Sequence, residues 1–317
     1  MSRRAIFAAV AAGAAFAVLP WVADNYILRV TTFMLMYCTL ALSWNFIGGF
    51  TGYPSFATAA FFGLGAYVSG VMQTKGVPMM AAWLIAGVFA MAFAAAIGRA
   101  ILHLRGHYFA IGSLVIADVL REVINGWTDF TGGGMGLNLP VLRMDVTAQA
   151  RLFYAAMLAI AAACLVTTVL LDRSRLGFGL RCIQQNEDAA LGLGVNTALF
   201  KTAAFALSSV FVGLAGGVYA SWVSYIDPAE AFDVLISVKP IVMVLLGGAG
   251  TVLGPVYGAF AFLVFEELVW RNFLKIHLGM LGLIVVILIL FLPKGILGTD
   301  FRGGWWRRTP GPRGGSA

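Results

Sequence analysis

The chain has 317 residues, 61% of them hydrophobic and only 11% charged, with a formal net charge of +7; its mean hydropathy is +0.90. A soluble domain carries about a quarter charged residues, so this composition excludes soluble enzymes and defines a polytopic membrane protein. The basic residues fall in short segments between apolar runs, as topology signals do, and no nucleic-acid partner is implied.

Ser2-Arg3-Arg4 precedes an apolar run at 5–22. A basic start and an apolar middle fit a signal peptide, but a run of about 18 residues nearly crosses the bilayer, which favours a retained first span or signal-like anchor over residues 1–25. The second run, 26–48, ends at a glycine-rich break, Gly48-Gly49-Phe50-Thr51-Gly52-Tyr53-Pro54. The third, 55–72, holds Ala57, Ala59, Ala60, Gly63, Gly65 and Gly70; such small residues let membrane helices approach closely, so a central position is expected. The fourth run covers 77–102 and leads into the basic stretch His103-Leu104-Arg105-Gly106-His107.

The fifth run, 108–127, carries Asp118, Arg121 and Glu122 on one helix face. They can pair with one another inside the membrane, or simply reach water at its outer edge. A polar stretch at 128–151 with Thr131-Gly132-Gly133-Gly134-Met135-Gly136-Leu137 reads as an irregular outer loop; no Lys-Ser/Thr follows, so it is not a Walker motif. The sixth run is 152–171, and runs seven to ten are 202–223, 234–246, 255–270 and 278–292. Lys239-Pro240 lies inside the eighth, where a lysine is either functional or snorkels to an end. Gly247-Gly248-Ala249-Gly250-Thr251 then repeats the character of the Gly48–Gly52 break, a weak internal repeat. Residues 299–317 form a basic tail, disordered by composition.

The segment 172–201 organises the chain. It carries Arg173, Arg175, Arg181 and Lys201 beside Asp172, Glu187 and Asp188, so it must leave the bilayer, and its positive charge places it in the cytoplasm. It is several times longer than a turn needs. Asn186 can cap a short helix with Glu187 and Asp188 in its first turn, Ala189 and Ala190 give a slim face for another protein, and Gly192 and Gly194 end it. A docking element and an ordinary solvated loop both fit this pattern. With the N-terminus inside and about ten spans, basic residues favour the cytoplasmic side by roughly two to one. The fold expected is an all-α polytopic membrane protein of about ten transmembrane helices, N-in/C-in, with a cytoplasmic helix between spans six and seven.

No enzyme motif emerges. His103, His107 and His277 form no metal set with nearby acids, and Cys38, Cys164 and Cys182 are odd in number and scattered. There is no Gly-x-Ser-x-Gly and no Walker sequence, so neither a metal nor a cofactor is expected.

The run Asp188-Ala189-Ala190, three residues, then Gly194 resembles the Glu-Ala-Ala-x-x-x-Gly signature of ABC-importer permeases, with Asp188 where that family has Glu. The stretch from Trp44-Asn45-Phe46-Ile47-Gly48-Gly49 to Gly63-Leu64-Gly65-Ala66-Tyr67 resembles LivM-type permeases of branched-chain amino acid ABC importers. So do Leu104-Arg105-Gly106-His107-Tyr108, Thr131-Gly132-Gly133 with Gly136-Leu137, Val244-Leu245-Leu246-Gly247-Gly248-Ala249-Gly250-Thr251 with Gly254-Pro255, and Phe291-Leu292-Pro293-Lys294-Gly295, in the family's order. The resemblance implies a permease domain at 26–298 in a bacterial inner membrane. It also implies a homologous second permease, two cytoplasmic ATPase subunits and a periplasmic solute-binding protein, with lipid around the spans.

ATPase coupling would then fall to Arg181, Glu187, Asp188, Ala189, Ala190, Gly192 and Gly194. The substrate path would fall to Gly49, Thr51, Gly52, Ser55, Lys239, Gly247 and Gly248, where broken backbone can line a pore. Branched-chain amino acids are the expected cargo; relatives of this type also carry urea, amides or aromatic carboxylates. An ion-coupled secondary carrier using Glu266 and Glu267, or a scaffold with no flux, are the readings from other classes.

Overall fold

A computed structural model describes residues 16, 19–21 and 23–272. Most of the first expected span, the tenth span at 278–292, His277 and the tail at 299–317 lie outside the described residues. Each expected span from the second to the ninth is a helix: α1 Asn25–Trp44, prolonged by a π turn Asn45–Gly49; α2 Thr58–Thr74; α3 Met79–Ile101; α4 His107–Gly126; α5 Val146–Arg173; then, after the polar segment, α8 Thr197–Val223, α9 Leu235–Gly247 and α10 Gly254–Asn272. The polar segment itself folds into α6 Arg175–Gln185 and α7 Glu187–Gly192. Helices α1 with its π turn, α3, α5 and α8 are long and apolar enough to cross a membrane.

Small residues set the core. Helix α8 lies against α2 and α3 with backbones nearly touching: a Cβ on Gly65 would stand 2.2 Å from the Gly213 carbonyl oxygen, and one on Gly216 would stand 2.1 Å from that of Phe62. Such approach lets dispersion act between whole backbones, the main attraction where lipid removes the hydrophobic drive. α2 is buried along most of its length, which fits its small-residue content. One polar knot is enclosed in this core: Gln73 donates to Ser69 (2.9 Å) and Ser221 (2.8 Å), and the Trp83 indole also donates to Ser221 (2.8 Å). Leu84, Val88 and Phe89 of α3 and Val166 and Leu170 of α5 stay exposed, an apolar face suited to lipid.

Among the described apolar helices α2 and α9 are the shortest, and they begin side by side. The Ser237 hydroxyl accepts from the Ala59 amide at 2.9 Å and donates to the Phe56 carbonyl at 2.6 Å. The extended backbone before α2 is thus held by protein rather than lipid, the condition under which non-helical chain survives at membrane depth.

The glycine-rich loop is more ordered than an irregular loop. It contains helical turns Thr128–Thr131 and Gly133–Met135, and its strand β1, Leu137–Asn138, pairs antiparallel with β2, Tyr225–Ile226. It also ends earlier than the composition implies, because Asp145 caps α5 at the Thr147 amide (3.2 Å) and helix replaces loop from Val146 on. On α4, Arg121 lies 3.6 Å from Asp118 and 3.7 Å from Glu122; the two acids are exposed and the arginine is half-buried.

Candidate functional site

The polar segment between α5 and α8 is built from capped helices. The Ser174 hydroxyl accepts from the Gly177 amide (3.1 Å) to start α6. Gly177 is required there, since a Cβ would stand 1.9 Å from the Leu171 carbonyl oxygen. α6 turns Leu180 and Ile183 inward and leaves Arg181 exposed, where it pairs with Asp172 and lies 5.5 Å from the Phe50 ring. The Asn186 side chain then accepts from the Ala189 amide at 3.0 Å, as an N-cap should. α7 ends in a Schellman turn: the Gly194 amide reaches the Leu191 carbonyl (2.9 Å), the Val195 amide reaches that of Ala190 (3.0 Å), and Gly194 has φ +83°.

An enclosed ion pair anchors α7. Lys201, on the first turns of α8, has a side chain only 3% exposed. Its Nζ donates to Glu187 Oε1 at 2.6 Å, to the Leu102 carbonyl at 2.8 Å and to the Tyr53 hydroxyl at 3.2 Å. The three donors of the ammonium therefore have three acceptors. The Tyr53 hydroxyl in turn donates to Glu187 Oε2. Burial by itself would raise the Glu187 carboxyl, but the hydrogen bonds from Lys201 and Tyr53 and the lysine charge outweigh it and hold the group below its ordinary 4.5. The Tyr53 phenol is pushed up by burial and by its bond to Glu187. Arg105, from the turn after α3, adds a fork onto Asp188 at 2.9 and 3.3 Å, and that contact raises the guanidinium further.

Of the two alanines, Ala189 is exposed while Ala190 is 1% exposed and faces the bundle. The slim outer face is thus Ala189 with Gly192 and Gly194, flanked by the exposed Leu191 and Leu193.

The segment is also tied to both glycine-rich breaks. Gln184 of α6 donates to the Gly49 carbonyl at 2.8 Å. Asn45, fully buried in the π turn, donates to the Thr251 carbonyl and accepts from the Gly250 amide, both at 2.9 Å. The two breaks therefore meet, and they meet closely: a Cβ on Gly49 would lie 2.7 Å from the Gly250 nitrogen. Gly247 is buried against the Gly254 carbonyl, and Gly248 takes φ +115° to leave α9. Thr51 is buried and receives the Tyr53 amide on its hydroxyl (3.3 Å); Gly52, at φ +74°, is exposed beside Gln184. Ser55 is buried, its carbonyl accepting from the Trp44 indole at 2.7 Å. Lys239 lies apart from this junction, paired with Glu266 of α10 at 2.7 Å.

Sequence reading did not assign roles to Tyr53, Lys201, Gln184 and Asn45 in this arrangement. Lys201 counted only as a topology charge, and the signal available was a lysine carried into an apolar helix 14 residues after an acid. Asn45 had a signal of the same kind, a lone amide in an apolar run just before a glycine break.

Several apolar helices around a buried small-residue core, with one capped polar segment between them, define a polytopic helical membrane protein. The chain belongs to the family described as branched-chain amino acid transport system / permease component, whose pattern matches residues 26–292. It is similar to the high-affinity branched-chain amino acid transport system permease protein LivM of Escherichia coli (strain K12), with 26% identity over 305 aligned residues covering 88% of this chain and 71% of the relative. The protein of the same description from Salmonella typhimurium is 25% identical over the same coverage. No solved structure matches. The chain is therefore a LivM-type, multi-pass inner-membrane transport permease.

Proposed function

We propose that the chain is the membrane subunit of an ATP-driven importer that moves branched-chain amino acids or similar small solutes into the cytoplasm. Its partners in this reading are a homologous second permease, two cytoplasmic ATPase subunits and a periplasmic binding protein. α7 is the coupling helix and seats Ala189, Leu191 and Leu193 in a cleft of one ATPase. About ten spans with both termini inside complete the topology, following the charge bias.

One observation carries the reading: α7 is locked to the bundle by Glu187 and Lys201 while its neighbour α6 holds the Gly49 carbonyl through Gln184. A push on α7 therefore reaches the junction of the two glycine-rich breaks through Gln184 and Asn45. Backbone free of regular helix is the part of a membrane protein that can change shape without breaking a whole span. When ATP closes the nucleotide-binding dimer, α6 and α7 shift together and the junction opens or closes the path.

The charged face of α4 supports a second permease. Asp118 lies about 16 Å along the helix axis from His107, near the middle of a bilayer core about 30 Å thick. Exposed charge at that depth is expensive in lipid, so this face abuts protein or a water-filled path. The carrier reading draws on the Lys239–Glu266 pair, half-buried charge of the kind that couples ions. Proteoliposomes decide between them. Uptake that needs ATP and all partner subunits is expected; uptake by the chain alone on an ion gradient would replace the importer with the carrier.

A further inference from the structure

We propose that the cavity between α1, α9 and α10, at the end of the bundle away from α7, binds the cargo as a zwitterion with an apolar side chain, a proposal that rests on the importer reading. The cavity has a volume of about 400 Å³, within the range of small-molecule sites. Its charged lining is balanced: Arg29 and Lys239 against Glu266 and Glu267. The rest of the wall is apolar, with Phe33 and Met34 of α1 and Leu263 of α10.

The hydrogen bonding is unfinished on both signs. Glu266 Oε1 accepts from Lys239 at 2.7 Å, but its Oε2 is enclosed and has no hydrogen-bond partner among the described residues. Lys239 Nζ, with three donors, has that one acceptor among the described residues and otherwise lies 5.3 Å from the Tyr37 ring. Glu267 already accepts from the Tyr26 hydroxyl at 2.8 Å. Once the Glu266 carboxyl turns to bring Oε2 to the cavity, an ammonium placed there and a carboxylate placed between Lys239 and Arg29 would complete the bonding of both. An aliphatic remainder then covers Phe33, Met34 and Leu263.

A balanced site disfavours other cargo. Urea brings no charge to either half, and an aromatic carboxylate brings only one, leaving a half-buried charged group unmet in each case. An aminophospholipid headgroup offers the same ammonium and anion, so the membrane is the competing source of this chemistry.

The test is equilibrium binding of tritiated leucine to the assembled permease–ATPase complex, without its binding protein, in nanodiscs of phosphatidylcholine and phosphatidylglycerol. Leucine should bind, and neither 4-methylpentanoate nor 3-methylbutylamine, each lacking one of its charges, should displace it at equal concentration. Glu266→Gln should weaken binding by about tenfold or more. Because one unpaired charge could unfold the site, the double variant Lys239→Met/Glu266→Met is measured beside it; it leaves no charge orphaned and should assemble but not bind. Absence of leucine binding, unchanged binding in the double variant, or displacement by either stripped analogue would overturn the proposal. So would displacement by phosphatidylethanolamine added to the discs, which would assign the cavity to lipid. ATP-driven uptake on the same preparations separates the two readings. Uptake that survives both variants sinks the cavity and leaves the importer, whereas leucine binding without any ATP-driven uptake sinks the importer and leaves the cavity.

Discussion

Two lysine–glutamate pairs lie at opposite ends of this bundle, and they differ in how deeply they are buried and how completely they are bonded. At one end Lys201 has three acceptors and Glu187 has donors on both oxygens, from Lys201 and Tyr53. At the other end Glu266 keeps one enclosed oxygen without a partner among the described residues. Buried polar groups are costly unless satisfied, so a saturated pair behaves as a structural bolt and an unsaturated one as a site awaiting a ligand. The bolt fixes where α7 stands, and the open pair receives what is carried. Both are made of the same two residue types, so residue type does not separate them; their surroundings do.

Breaking the saturated pair should have the largest effect. Lys201→Met leaves Glu187 enclosed without its cation and should cost about 3 kcal/mol of stability, read from thermal unfolding of the purified chain. Lys239→Met alone should cost clearly less, because Glu266 already tolerates an unmet oxygen; equal losses at the two ends would erase the distinction. Next is the junction the bolt controls. Gly49→Ala drives a methyl into the Asn45 amide and the Gly250 nitrogen, and should cost about 2 kcal/mol and most of the uptake. Gly194→Ala puts a side chain at φ +83° and should cost about 1 kcal/mol, visible as a modest drop in melting temperature.

The smallest effect concerns pH and sharpens the comparison. Glu187 is held below its ordinary 4.5, so the pair's contribution is fully present above that value and fades as pH falls through the depressed one. The stability gap between wild type and Lys201→Met should therefore be largest at neutral and alkaline pH and shrink as acid protonates Glu187, first in the variant, where the lysine no longer offsets burial, and last in wild type; a gap that widens on acidification would contradict the assignment.

Much of this was legible before any coordinates. The helices fall where apolar runs predict them, because twenty apolar residues have few other fates. The cap at Asn186 and the stop at Gly194 follow from side-chain chemistry that acts within a few residues. Three things were not legible, each because it depends on which helices become neighbours. Ala189 and Ala190 look equivalent in sequence, yet helix rotation exposes one and buries the other. Gly48–Gly52 and Gly247–Thr251 look alike, but only packing shows that they touch through Asn45. Lys201 and Lys239 are each one charge in an apolar helix, and what saturates Lys201 beyond Glu187, the Tyr53 hydroxyl and the Leu102 carbonyl, comes from segments distant in the chain.

The most direct measurement of ATPase docking through α7 uses Ala189→Arg. This position is exposed and makes no side-chain hydrogen bond, so stability should stay within about 0.5 kcal/mol of wild type. The variant chain should insert and pair with its second permease, fail to retain the ATPase subunits on purification, and show ATP-driven uptake at background. An Ala189→Arg complex that keeps its ATPases and imports at the wild-type rate would contradict docking through α7.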